Sequence, residues 1–325
     1  MSLPCRIVHD VMEAARLLAA GKIVSFPTET VYGLGADASN PEAVGRIFQI
    51  KDRPADHPLI VHLAETGQIR DWALEIPDEA FLLAERFWPG PLTLILKRQR
   101  RVPRVVTGGQ DTIGLRVPGH QVALELLRRF GGGVAAPSAN RFGRISPTTA
   151  RHVLEELGDR LELILDGGSC PIGLESTIVS LAGPHPLLLR PGAISVEDIE
   201  AVLGGRKVSR PSRSDSHRAP GMHPSHYAPR KPFRVIERSL IHQSVCRLRD
   251  SGRKVVVITF QSLVDDLPEN VAFQVMPDNP ADYGREMYAV MRALDSGDFD
   301  IIIAVAPPDA IPWQAVGDRL SRAAG

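Results

Sequence analysis

Residues 22–35 read KIVSFPTETVYGLG. Residues 22–26 form a short apolar run of strand character, and Pro27, Gly33 and Gly35 mark the segment after it as a turn. Thr28, Glu29, Thr30 and Tyr32 then stand as polar tips at the strand's carboxyl end, where α/β sheets usually place their ligands. Outward from this stretch, 41–50 reads as a helix with proline in its first turn, 58–63 as a strand, and 78–88 as a helix stopped by Pro89-Gly90. Further strands are expected over 92–97, 112–117, 133–136, 161–165 and 177–181, with an amphipathic stretch over 148–157. Ser195 is placed to cap a helix that runs to Leu203 and ends at Gly204-Gly205. Several strands follow one another too closely for helical crossovers, so a mixed twisted sheet with flanking helices is expected rather than a purely parallel one.

Composition shifts after Gly205. Residues 206–231 hold seven Lys or Arg against one acidic residue, Asp215, with five serines and four prolines, which reads as a basic linker. From 232 onward the period becomes regular. Strands over 233–236, 254–260 (KVVVITF) and 300–306 (DIIIAVA) alternate with helices over 241–250, 283–294 and 315–324. Near-continuous apolar strands interleaved with helices indicate a small, Rossmann-like parallel sheet. The expected organisation is a catalytic domain over 1–205, a linker or lid over 206–231, and a C-terminal domain over 232–325.

Composition excludes several classes. The 325 residues carry 38 Lys+Arg and 38 Asp+Glu, which rules out a strongly basic nucleic-acid coat. Aromatics at 5% disfavour a stacking platform for single strands, and 43% hydrophobic residues suffice for two cores. Cys5, Cys170 and Cys246 are odd in number and widely spaced, which argues against a disulfide framework and fits a reducing compartment. No signal-peptide pattern or long apolar span is present, so a cytoplasmic protein with no membrane partner is expected.

Common catalytic motifs fail. Gly168 and Gly173 have Walker spacing but are followed by Leu174-Glu175, and Gly33-Leu-Gly35 lacks a third glycine at Ala38. No G-x-S-x-G elbow occurs, and His223 and His226 have no cysteine or carboxylate cluster nearby to complete a zinc site. What remains is a scattered set of polar groups: Lys51-Asp-Arg53 at a helix end, Ser138 and Asn140 after small residues, Ser176 at a strand opening, and Arg116 and Arg190 inside apolar strands. The cations at 51 and 53 also suit a helix C-terminus by themselves. Arg116 and Arg190 need anionic partners, whether protein carboxylates or a ligand. A cavity rich in Lys, Arg, Ser and Thr without a nucleophile suits phosphoryl or nucleotidyl transfer.

The stretches FPTETVYGLG (26–35), KDRPADHPLIVH (51–62), TIGLRVP (112–118), PSAN (137–140), STIV (176–179), LRPG (189–192) and APGMHPSHYAP (219–229) together resemble the YrdC-like threonylcarbamoyl-AMP synthases in their long two-domain form. That resemblance implies a reaction of L-threonine, bicarbonate or CO2, and ATP to give threonylcarbamoyl-adenylate and pyrophosphate. A downstream threonylcarbamoyl transferase system would then modify tRNA to N6-threonylcarbamoyladenosine. It implies ATP contacts at Lys51, Arg53, His57, Thr112, Ser138, Asn140, Ser146, Arg190 and Tyr227, with Mg2+ carried by the nucleotide. It implies threonine contacts at Thr30, His62, Arg116, Ala136 and Ser176, and no protein nucleophile. Tyr227 would ride on the linker as a lid that keeps water from a labile anhydride. Two positions depart from the family pattern: Asp52 stands where glycine is frequent, and His57 where asparagine is frequent. Two other readings are an O-carbamoyltransferase-like enzyme and a double-stranded RNA or tRNA-binding module using Lys97, Arg98, Arg100, Arg101 and Arg104.

Overall fold

The computed structural model describes residues 5–210, 220–221 and 226–325, and two compact units divide the chain. The first comprises Met1–Phe142, Pro147–Pro171 and Glu175–Met222; the second comprises Gly143–Ser146, Ile172–Leu174 and His223–Gly325.

The first unit is built on one mixed sheet. Its strands run in the order Arg6–Val8, Leu163–Leu165, Val24–Phe26, Gly33–Asp37, Val134–Ala135, Ile60–His62, Thr112–Arg116, Leu92–Arg98, Thr177–Ser180 and Leu187–Arg190, and Ala73–Leu74 pairs with Leu92–Arg98. Ile60–His62 runs parallel to Thr112–Arg116, whereas Leu92–Arg98 runs antiparallel to it. The helices begin where short polar side chains can satisfy the first backbone donors. Asn40 accepts from the amides of Glu42 and Ala43 ahead of Pro41–Lys51, and Ser195 accepts from Asp198 ahead of Val196–Val202. Gly33–Asp37, expected as a turn, is instead a strand. A Cβ at Gly35 would lie 2.8 Å from Phe26 Cε1 and 2.9 Å from Val134 Cγ1, so this glycine makes room for an aromatic ring across the sheet. Helices Val11–Ala19 and Gln121–Phe130 and strand Arg6–Val8 join the elements expected from sequence.

The strand period of two sorts side chains between the sheet's faces. Leu34, Ala36, Val61, Leu94 and Leu115 enter the main core. Val24, Phe26 and Val134 pack with Leu18 and Leu126 from the two helices just named. A third cluster, Ile60, Ile95, Ile178 and Leu189, is made of strand residues alone. The pairings Ile60–Gly114, Ile95–Gly114, His62–Arg116, Thr93–Ile178 and Ile178–Arg190 put these isoleucines on the same face as His62, Thr93, Arg116 and Arg190. That face therefore has an apolar floor rimmed by cations and hydroxyls.

The second unit contains a parallel four-stranded sheet in the order Phe233–Ile236, Ile301–Val305, Val255–Phe260 and Ala272–Met276. Every residue of Val255–Phe260 and Ile301–Val305 is buried. Ala272–Met276 is a largely exposed edge strand, which explains why its sequence lacks the apolar run of its neighbours. Helices Ile241–Asp250, Pro280–Ser296 and Gln314–Ala324 complete the alternation. No helix among the described residues is long and apolar enough to cross a membrane.

Candidate active site

The turn after Val24–Phe26 is wired internally. The Thr28 hydroxyl lies 2.6 Å from the Val31 carbonyl, which can only accept, so Thr28 spends its single proton there. Thr30, 2.9 Å from Thr28, must then be the donor between the two threonines. Its oxygen in turn accepts from Arg116 Nη1 at 3.0 Å. Tyr32, expected as a polar tip, is buried, its hydroxyl 2.8 Å from the Gly168 carbonyl and 3.0 Å from Asp166 Oδ1, which share its single proton.

Arg116 extends from the site face of its strand. Its Nε donates to the Gly90 carbonyl at 3.2 Å, and its Nη2 lies 2.6 Å from Glu29 Oε1. Both side chains are at most 5% exposed. The anionic partner that Arg116 needs is therefore Glu29, which sequence reasoning had noted as polar but had given no role. A buried ion pair of this kind does not by itself argue for stability, because desolvation offsets most of the attraction. Beside Arg116, His62 is buried with its ring edge-on to Phe26, and its pKa falls to about 3, first through burial and then through the Arg116 charge. Its imidazole is neutral at ordinary pH.

Farther along the same face, Ser176 is held from two sides. Its hydroxyl is 2.8 Å from Thr93 Oγ1, and Arg190 Nη2 donates to it at 3.1 Å. Arg190 also donates to the Ser176 carbonyl at 3.0 and 2.9 Å and to the Pro220 carbonyl at 2.9 Å. Ala136 donates its amide to the Ile60 carbonyl, and Thr112 opens the strand that ends in Arg116. The floor dips at Gly114, where a Cβ would lie 3.1 Å from Ile95 Cδ1.

Lys51 sits at the end of its helix, 1% exposed, and donates to the carbonyls of Ser138 (2.6 Å) and Asn140. It thereby braces the PSAN turn, which Gly33 and Ser138 stitch to the sheet. Burial, then the Arg53 charge, holds the Lys51 pKa well below the usual lysine value, while Glu156 opposes the shift. Arg53 donates to the Pro58 carbonyl, and its guanidinium lies 5.8 Å from the centre of the Phe142 ring. His57 meets the same ring edge-on at 5.1 Å. Phe142 thus ties together two residues expected to face nucleotide, and nothing in its local sequence marks it.

Asp52 is turned away from these groups. It adopts the left-handed conformation (φ 53°) that ends the helix, which accounts for glycine being frequent there. Its carboxylate lies 2.9 Å from Arg160 and 3.5 Å from Arg141, so surface arginines already balance its charge.

Of the fourteen residues expected at the site, the first unit therefore carries twelve. Thr30, His62 and Arg116 form one group, Ser176 and Arg190 a second, Lys51, Ser138 and Asn140 a third, and Arg53 and His57 a fourth; Thr112 and Ala136 stand apart from these bonds. Ser146 and Tyr227 belong to the second unit. There Tyr227 is buried against Tyr288 at 5.8 Å, with the Arg319 guanidinium 5.4 Å from its ring centre. Half of the basic strap, residues 211–219 and 222–225, lies outside the described residues. In its described part, Arg206 pairs with Glu79 and Lys207 with Glu200. In the basic hairpin of the RNA-binding reading, Lys97 pairs with Glu75, Arg98 and Arg104 share Asp111, and Arg101 pairs with Asp71, so three carboxylates offset part of the charge of its five cations. All three cysteines are free thiols.

Two family models cover most of the chain. Residues 16–192 match the Sua5/YciO/YrdC model, described as telomere recombination, and residues 194–325 match the model described as threonylcarbamoyl-AMP synthase, C-terminal domain. The threonylcarbamoyl-AMP synthase of Pyrococcus abyssi is 42% identical, over 96% of this chain and 93% of its own length. The Bacillus subtilis enzyme of the same name is also 42% identical, over 97% and 93%. The crystal structure of P. abyssi Sua5 complexed with L-threonine superposes with a TM-score of 0.91 at 39% identity, covering 99% of this chain and 98% of that one. With a mixed-sheet domain, a parallel-sheet domain and relatives matched end to end, the chain belongs to the threonylcarbamoyl-AMP synthase family of nucleotidyltransferases, in its two-domain form.

Proposed function

We propose that the face of the first unit's sheet that carries Arg116 and Arg190 joins L-threonine to bicarbonate or CO2 and directs the product to the α-phosphate of ATP. The observation that carries this reading is the clustering of Thr30, His62 and Arg116 at one end of an apolar floor, with the Ser176–Arg190 pair on the same face. Arg116 is the group for the threonine carboxylate, and Thr30, His62, Ala136 and Ser176 shape the pocket around it. A relative that shares this fold and 39% of its residues was crystallised with L-threonine.

The nucleotide is assigned to Lys51, Arg53, His57, Thr112, Ser138, Asn140 and Arg190. The PSAN turn, braced by Lys51 and by the Ala139 amide on the Tyr32 carbonyl, sets Ser138 and Asn140 beside small residues, which lets phosphate oxygens approach closely. Mg2+ is assigned to the phosphates of the nucleotide, which would carry it into the site.

In the reaction, the neutral threonine amine adds to CO2 with loss of a proton, or condenses with bicarbonate with loss of water, to give an N-carboxylate, whose oxygen attacks the α-phosphorus as pyrophosphate leaves. The residues position both substrates and offset charge on the departing phosphates; none needs to form a covalent bond. The resulting adenylate would supply the threonylcarbamoyl group of modified tRNA. The test is mass spectrometry on reactions quenched within seconds. Threonylcarbamoyl-adenylate should form only when threonine, bicarbonate and ATP are all present. Pyrophosphate released equally well without threonine would remove the assignment.

A further inference from the structure

We propose that Glu29 is a specificity-determining residue that reads the ammonium group of the amino-acid substrate while Arg116 reads its carboxylate. This deepens, and rests on, the placement of threonine at Thr30, His62 and Arg116. The ion pair between the two side chains is close, 2.6 Å from Arg116 Nη2 to Glu29 Oε1, yet its alignment does not make a hydrogen bond. Glu29 Oε1, Glu29 Oε2 and Arg116 Nη2 are all buried with no hydrogen-bond partner, and so is His62 Nδ1. The other Arg116 nitrogens are engaged, Nε by Gly90 and Nη1 by Thr30. Buried polar atoms are almost always hydrogen-bonded, so a buried ion pair whose facing atoms leave their hydrogen bonds unmade needs an explanation.

Charge supplies it. The pair is neutral as a unit, and Glu29 and Arg116 are respectively 5% and 4% exposed. A ligand bearing only one sign of charge would leave an uncompensated charge in a poorly hydrated place. An amino-acid zwitterion brings one of each: its carboxylate can accept from Nη2, and its ammonium can donate to the Glu29 carboxylate. Gly119 leaves the carboxylate its room, since a Cβ there would lie 3.3 Å from Glu29 Oε1. Glu29 also shares strand-end geometry with Thr30, its neighbour in the chain, so both arms of the recognition come from one turn and one strand end.

The test compares L-threonine with its α-hydroxy counterpart, in which a hydroxyl replaces the ammonium. Calorimetry on the full chain, with a non-hydrolysable ATP analogue present, gives Kd for both ligands on the unmodified protein and on Glu29→Gln. A charge-assisted contact predicts that the unmodified protein prefers threonine by roughly tenfold to a hundredfold. In Glu29→Gln that preference should collapse toward unity, mainly because threonine binding weakens. If Glu29→Gln weakens both ligands equally and keeps the preference, Glu29 only positions Arg116 and the proposal is overturned. Near-equal binding by the unmodified protein overturns it without any variant, which covers the case in which Glu29→Gln does not fold. Failure of the unmodified protein to bind threonine at all would instead strike the underlying placement of the threonine site.

Discussion

The two sheets of this chain treat buried charge in opposite ways. In the second unit the central strands Val255–Phe260 and Ile301–Val305 are wholly buried and carry nothing more polar than Thr259. In the first unit Glu29, His62, Arg116 and Arg190 are all buried at or beside strand ends, and Lys51 is buried at a helix end. Burying ionisable groups is costly, and apolar residues of the same size would give a more stable sheet. The second sheet is thus what packing alone selects, and on the proposed assignment the first is what packing yields when it must also hold a zwitterion and a triphosphate.

The contrast should be largest at Arg116. Arg116→Ala leaves Glu29 as an unpaired buried carboxylate, so it should cost about 3–5 kcal/mol of stability. Threonine-dependent pyrophosphate release should fall by more than about a hundredfold, measured at a temperature where circular dichroism shows the variant folded. Ile303→Ala, in the second sheet, should cost about 2–5 kcal/mol through its cavity yet leave KM for threonine unchanged. A threonine KM that moved with Ile303 would erase the distinction between the two sheets.

Lys51 offers a pH test. Its pKa in the free protein is held well below the usual lysine value, and an adjacent triphosphate would raise it. ATP binding should therefore take up a proton. Affinity should weaken as pH rises through the window between the lowered and the restored value, by up to about tenfold per pH unit. Lys51→Met should abolish that dependence, which calorimetry in buffers of different ionisation enthalpy would detect.

His62 gives a smaller effect of defined sign. Its folded pKa of about 3 lies below the ordinary 6.5, so the unfolded chain binds the extra proton between those values. Its contribution makes stability fall as pH drops through that window, by at most about 1.4 kcal/mol per pH unit. Denaturant titrations at pH 7, 5 and 4 should show a shallower loss in His62→Gln. Smallest of all is Asp52→Gly. It relieves a left-handed non-glycine residue and removes exposed ion pairs, so stability should change by less than about 1 kcal/mol and KM for ATP by less than about twofold.

Much of the fold was legible from periodicity, because apolar strands and capped helices are local patterns. The second sheet was read almost entirely this way, apart from its exposed edge strand Ala272–Met276. The glycines at 33 and 35 misled, since a glycine that makes room for Phe26 across a sheet looks like one that makes a turn. At the site, residue types and motif resemblance named Arg116, Lys51 and Arg190, but their partners lie far away in the chain. Glu29 beside Arg116, Thr93 beside Ser176, and Phe142 between Arg53 and His57 are facts of register and packing that no short window contains. The one advance signal was the need of a buried guanidinium for an anion.

The most direct measurement is a crystal structure of the full chain with L-threonine and a non-hydrolysable ATP analogue bound together. The threonine carboxylate should lie within hydrogen-bonding distance of Arg116, over the floor of Ile60, Ile95 and Ile178, with phosphate oxygens at Lys51 and the 137–140 turn. Ligands found on another surface, with Arg116 still facing only Glu29, would contradict the assignment of this sheet face as the active site.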